Sequence, residues 1–341
     1  MGLDNNIGII YVADETTSQN PCLDVIMSDL TKYPNCQKIT ERIDRNKVRF
    51  LLKKQKIQKL TRGKLNFILK KHYELDRALR ESCTKYKTVY VFFLNDSFVN
   101  ARYPSSLLAE YRKHYENVKF ILFFIDTVAF PLCHDAARLL KSGVMDLTFS
   151  FDKKDAEEYG MKHWHSPYSR VLEDDLAKEY ALYLCCDAYT RRDKILQIVE
   201  ACKTNAVKHY FHLRCKDSQT AATFQNIDNG MELYEASWLP YEQVLKESLK
   251  ANCILEIVRP GQSGLTLRSY EAVCYNRKLL TNNKAILKFE FYDSRFMQYF
   301  EKVEDINWEW VKQEIEVDYH YNGEFSPIHL LEDIEQQLRE V

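Results

Sequence analysis

Apolar residues along this chain fall into short dense runs, separated by longer stretches in which they recur at helical spacing. Residues 7–12, 88–94 (TVYVFFL) and 119–125 (KFILFFI) are too short for helices and apolar almost throughout, which predicts strands buried on both faces. Residues 146–152 (DLTFSFD) predict another strand. Between the second and third runs, PSSLLAEYRKHYENV predicts a helix opened by Pro104 and Ser105, and DKKDAEEYGM predicts one closed by Gly160. A long helical stretch is expected from about Cys36 to Cys83, broken near residues 61–63.

Residues 163–175 (HWHSPYSRVLEDD) interrupt this rhythm with Pro167 and polar groups and predict a linker. A second alternating series follows. EYALYLCC, KHYFHLRC, CILEIV and KLLT read as strands; RRDKILQIVEACKTN, YEQVLKESLKAN and LTLRSYEAVCYN read as helices. The tail, 326–341, predicts an amphipathic helix with Ser326 as N-cap and Pro327 in its first turn. The fold class expected is α/β, with two Rossmann-like doubly wound domains facing a central cleft. The domains are placed at 1–170 and 176–320, with the 326–341 helix packing back on the first.

One loop carries more polar apparatus than a turn needs. RPGQSGLTLRSYEA (259–272) joins CILEIV to the next helix, where ligands of doubly wound sheets collect beyond the carboxyl ends of strands. Read plainly, Pro260 and Gly261 form a turn, Ser263 caps the helix, and Arg268 and Glu271 pair on its surface at i, i+3. The same geometry also makes an anion site. Gly264 permits close approach, and Leu265, Thr266 and Leu267 offer N–H groups at the positive end of the helix dipole. Ser263 and Thr266 add hydroxyls, Arg268 a positive charge, and Glu271 a carboxylate for sugar hydroxyls. That pattern fits a nucleotide diphosphate and is neither G-x-G-x-x-G nor a P-loop.

Charge and cysteine content narrow the class. The 341 residues carry a net charge of −1, which argues against nucleic-acid binding by bulk electrostatics. Residues 38–71 nevertheless hold thirteen Lys or Arg against Glu41 and Asp44. This predicts either a solvated helix face or a basic surface for anionic lipid or an acidic polymer. Ten scattered cysteines without a C-x-x-C pair suit small buried hydrophobes in a reducing compartment. No apolar stretch reaches the ~18 residues of a membrane span, and IGIIYVA follows Asp4 rather than a basic segment. The expected location is cytoplasmic, with possible attachment at the inner face of a membrane.

The residues ILEIVRPGQSGLTLRSYEAVCYNRKLLTNN resemble the C-domain signature of two-Rossmann, GT-B glycosyltransferases, and most closely the lipopolysaccharide and capsular polysaccharide biosynthesis group. FFIDTV and DLTFSFDKKDAEEYGMKHWHSPYS are similar to segments of that group's N-domain. The likeness covers roughly residues 85 to 300. It implies sugar transfer from a nucleotide-sugar donor to a surface-glycan or lipid-linked acceptor. Glu271 would be the ribose-binding glutamate of an E-x7-E pattern whose first position is here Ser263. Gly264–Thr266 would hold the donor phosphates, and Arg191, Arg192 and Lys194 in the TRRDK loop would lend positive charge to them.

Asp126, closing an apolar strand, is the candidate general base toward the cleft, with His134 as its substitute. Equally, Asp126 would serve as a loop cap. No metal is expected at His163/His165 or at His209/His212, the latter three apart in a strand and so on opposite faces, and no D-x-D is present. No cofactor is expected, the nucleotide-sugar being a co-substrate. Two other functions fit these residues: a non-catalytic nucleotide-sugar or polyanion-binding partner, and a capsule phosphotransferase using a CDP-alcohol.

Overall fold

The structure, a computed structural model, describes residues 4–14, 22–41, 74–101, 103–173, 176–215, 217–225, 227, 230–234, 239–259 and 264–339. The expectations placed on the basic segment beyond Glu41 and on Ser263 lie outside the described residues. Two compact units are present. The first holds Met27–His165 with the initial strand and Pro327–Val341; the second holds Ser166–Ser326 with the short helix Cys22–Ile26.

The first unit is built on six parallel strands: β1 (Ile7–Asp14), β2 (Cys36–Glu41), β3 (Thr88–Leu94), β4 (Val118–Phe124), β5 (Leu147–Ser150) and β6 (Lys162–His163), in the order β2-β1-β3-β4-β5-β6. Its central strands are apolar on both faces because both faces are covered. Val91, Phe93, Phe120 and Leu122 pack with Leu75 and Leu79 of the Glu74–Lys85 helix and with Leu107, Leu108 and Tyr111 of Ser105–His114. Each such side chain contributes ~1.5–3 kcal/mol by leaving water. Asp152 starts the Lys153–Tyr159 helix by accepting from the amides of Lys154 (2.9 Å) and Asp155 (3.2 Å), and Gly160, at φ 66°, ends it. The helix Pro327–Arg339 buries Leu330, Leu331 and Ile334, and its Asp333 accepts from the Trp164 indole at 2.6 Å.

The second unit has β7 (Tyr180–Asp187), β8 (His209–Arg214), β9 (Met231–Tyr234), β10 (Ala251–Glu256), β11 (Lys278–Thr281) and β12 (Met297–Tyr299), all parallel, in the order β12-β11-β10-β7-β8-β9. The chain enters at β7 and steps outward to β8 and β9. It then crosses to the opposite side of β7 with β10 and continues outward through β11 and β12. The direction of winding therefore reverses between β7 and β10, and loops leaving these two strands diverge to opposite faces, opening a crevice at their carboxyl ends.

One expectation is corrected and three elements are added. Residues Cys36–Glu41 are an edge strand paired with β1 from Ile9↔Cys36 to Asp14↔Glu41, not the start of a helix. Ile39 is buried and Lys38 exposed, the alternation and edge lysine of a strand end, which the following charge run obscures. Lys162–His163 add a short strand to β5 at the edge of the expected linker, and the units divide between His165 and Ser166, within it. The helix Ser218–Phe224, capped by Asp217, and β9 were not anticipated.

Candidate functional site

The winding reversal in the second unit collects the polar residues of the 259–272 loop. β10 ends in Glu256, only 2% exposed. Its Oε1 accepts from the Thr266 hydroxyl and, at 3.4 Å, from that of Ser269, while Oε2 accepts from the hydroxyl of Thr281 at the end of β11. Burial pushes the Glu256 carboxyl above its ordinary range, and the bonds from Thr266, Thr281 and Ser269 pull it back.

Around this acid the loop ends are tied down. Thr281 Oγ1 accepts from the Asn283 amide (2.9 Å), Asn283 Nδ2 donates to the Gly264 carbonyl (3.0 Å), and Asn282 Oδ1 accepts from the Val258 amide (2.8 Å). The N-cap of the Leu267–Cys274 helix is Thr266, whose Oγ1 accepts from the Arg268 amide at 3.1 Å, rather than Ser263.

One turn into the helix, Arg268 and Glu271 do pair, but not on the surface. The Glu271 side chain is fully buried and that of Arg268 is 16% exposed. Arg268 Nη1 donates to Glu271 Oε2, and the Tyr241 hydroxyl donates to Oε1. The Tyr168 hydroxyl lies 3.1 Å from that of Tyr241 and extends the chain. Burial alone would weaken the charge on Arg268. Glu271, together with Tyr241, Cys185 and Tyr183, outweighs it, and the guanidinium is held well above its ordinary pKa. Tyr241 is driven well above its ordinary value by burial and then by Glu271, so it remains a donor. Glu271, expected as an open hook for sugar hydroxyls, has both carboxylate oxygens engaged inside the unit.

At the end of β7, Arg191 crosses the winding reversal. Its Nε donates to the Ile257 carbonyl just past β10 and its Nη1 to the Asp187 carbonyl at 3.0 Å. Burial lowers its pKa, and neighbouring Arg259 adds to the effect. Beside it, Tyr189, Arg192, Asp217 and Gln219 line an open depression of about 460 Å³. Arg191, Arg192 and Lys194 of TRRDK all line this depression, each with a different partner. Arg192 leans on Asp193 (3.2 Å), and Lys194 turns to the Glu301 carbonyl (3.1 Å) beside Phe300.

In the first unit, Asp126 is half-buried just beyond β4, and His134 is exposed at the start of the His134–Leu140 helix. Burial, then Asp126, Asp96 and Asp155, raise the Cys133 thiol between them. Asn95, fully buried, bridges the ends of β3 and β4 by donating to Asp96 (2.6 Å) and accepting from the Ile125 amide (2.8 Å). His212 Nδ1 lies 3.0 Å from the Tyr183 hydroxyl. Among the described residues no group of three or more His, Cys, Asp or Glu is arranged to hold a metal ion. No helix among them is long and apolar enough to cross a membrane.

Glu256, Thr281, Asn283, Tyr241 and Tyr168 were not singled out from the sequence. Glu256 had a signal, a carboxylate closing an otherwise apolar run. Thr281-Asn282-Asn283 had another, side-chain donors and acceptors directly after a strand. The two tyrosines had none, because they are distant in sequence.

Two six-stranded parallel sheets with covering helices give this chain the GT-B fold of known glycosyltransferases. An α-glucosyltransferase solved in complex with UDP superposes with a TM-score of 0.55 at 10% identity, over 96% of this chain and 98% of that one. A glycosyltransferase from Rickettsia africae ESF-5 gives 0.51 at 10% identity over 97% and 98%. The catalytic domain of starch synthase IV from Arabidopsis thaliana, bound to ADP and acarbose, gives 0.51 at 6% identity over 97% and 99%. No protein-family model matches the sequence, and no curated protein matches it.

Proposed function

We infer that the protein is a glycosyltransferase that moves a sugar from a nucleotide-sugar donor to a glycan or lipid-linked glycan of the cell surface. The observation that carries this reading is Arg191, fixed across the β7/β10 winding reversal, beside a helix start that bears Arg268. There the donor diphosphate meets two guanidinium groups and the backbone at Gly264–Leu265, and charge is neutralised without a metal. Arg192 and Lys194 contribute longer-range positive potential. In the transfer, Asp126 takes the proton of the acceptor hydroxyl, with His134 as the alternative base. The acceptor oxygen bonds to the sugar C1, and the C1–O bond to the diphosphate breaks, releasing nucleoside diphosphate. The basic 38–71 segment brings the protein to an anionic membrane carrying the acceptor.

A thermal-shift panel with UDP, GDP, dTDP, CDP and CMP tests the donor site. Saturation at 100 times Kd adds about 2.7 kcal/mol to the stability, and absence of any shift overturns the reading. Slow release of nucleotide from the cognate sugar donor then establishes an enzyme. Binding without turnover identifies a donor-binding partner instead, and preference for CDP or CMP with turnover of a CDP-alcohol identifies a phosphotransferase.

A further inference from the structure

The buried carboxylate of Glu271 is built to serve the chain rather than to meet a sugar. It has no exposed surface; one oxygen accepts from Arg268 and the other from Tyr241, which is itself 5% exposed and backed by Tyr168. A ribose bound by Glu271 would have to displace Tyr241 or Arg268, and either exchange leaves a buried charge or hydroxyl without its partner. Arg268 is held differently. Among the described residues its guanidinium is bonded through Nη1 only, and it keeps partial exposure next to Cys185 near the carboxyl end of β7. That leaves Nε and Nη2 as donors on the same strand end that Arg191 flanks.

We propose that Glu271 and Tyr241 are positioning residues: they clamp one edge of the Arg268 guanidinium so that its other edge binds the diphosphate of the donor. The proposal rests on the glycosyltransferase reading and changes which part of the donor Glu271 controls. A carboxylate that binds ribose governs discrimination between ribose and deoxyribose. A carboxylate that aims an arginine governs discrimination between diphosphate and monophosphate. A long, flexible arginine left unclamped loses orientation, and with it the two-pronged contact that a phosphate rewards.

The experiment is calorimetric. UDP, ADP, GDP, CDP and dTDP are titrated into the wild-type protein, and the one that binds is compared with its monophosphate and, for a ribonucleotide, with its 2′-deoxy form. The series is repeated in Glu271→Gln, Tyr241→Phe and Arg268→Lys. The expected result is that all three variants lose about tenfold or more of the diphosphate-over-monophosphate preference, while the ribose-over-deoxyribose ratio stays within about twofold of wild type. Thermal melts confirm folding, and Tyr241→Phe, which keeps the ion pair, carries the test if Glu271→Gln does not fold. An unchanged phosphate preference in Tyr241→Phe and Arg268→Lys, or loss of ribose discrimination in Glu271→Gln, overturns the clamp. Failure of wild type to bind any of the five removes the donor site itself, a separate outcome.

Discussion

Thr281→Val tests whether the buried acid behind the loop is an ionised structural group. The substitution nearly preserves volume but removes the hydroxyl that donates to Glu256 Oε2 and accepts from the Asn283 amide. A hydrogen bond to a charged group is worth ~1.5–3 kcal/mol and a neutral one ~1, so at neutral pH the loss comes to about 2.5–4 kcal/mol. The cost depends on pH. Burial raises the Glu256 carboxyl above its ordinary value of 4.5. The folded state therefore binds the proton more tightly than the unfolded chain. Stability from this source is complete below the unfolded pKa and is lost as pH rises through the folded one. Removing a donor to the carboxylate moves the folded pKa further up and enlarges that loss. The penalty of Thr281→Val is accordingly smallest in acid, about 2 kcal/mol where both lost bonds are neutral, and grows toward neutrality. Urea unfolding followed by circular dichroism at a series of pH values from mildly acid to neutral measures it, as a shift in midpoint at constant slope. A penalty that stays flat with pH, or below about 1 kcal/mol throughout, refutes the assignment of Glu256 as a carboxylate held by hydroxyl donors.

Two further outcomes are expected in the first unit. A Cβ added at Gly8 in β1 would lie 2.2 Å from Tyr86 Cδ2, so Gly8→Ala destabilises by ~1–3 kcal/mol, and combining it with Tyr86→Ala costs less than the sum of the two singles. Trp164→Phe removes the 2.6 Å bond to Asp333, worth ~1.5–3 kcal/mol, and amide exchange in the Pro327–Arg339 helix should quicken while exchange in β3 is less affected.

The elements most legible in the sequence were those whose burial is uniform. β3 and β4 are marked by TVYVFFL and KFILFFI because both faces are covered, and Gly160 marks the end of its helix because capping is local chemistry. β2 was misread because an edge strand buries little, and its Lys38 merges with a basic run. At the site, Thr266, Arg268 and Glu271 were found because they share one loop and one helix turn. Their burial was not legible. It depends on Tyr241 from a helix thirty residues earlier, Tyr168 from the start of the second unit and Thr281 from the neighbouring strand. Pattern within a window reports spacing, and only the sheet order brings these groups together.

The division of the chain between its units bears on how it leaves the ribosome. The second unit is almost continuous, Ser166–Ser326 with one short helix from earlier in the chain. The first is interrupted, its sheet made before residue 166 but its Pro327–Arg339 helix synthesised only after the second unit. During vectorial synthesis the first sheet must therefore wait, with the surface for Leu330, Leu331 and Ile334 uncovered, while some 160 residues of the other unit emerge. Of the two units, the one begun first is completed after the other, and a chain halted at Ser326 would be open to protease in its first unit and protected in its second.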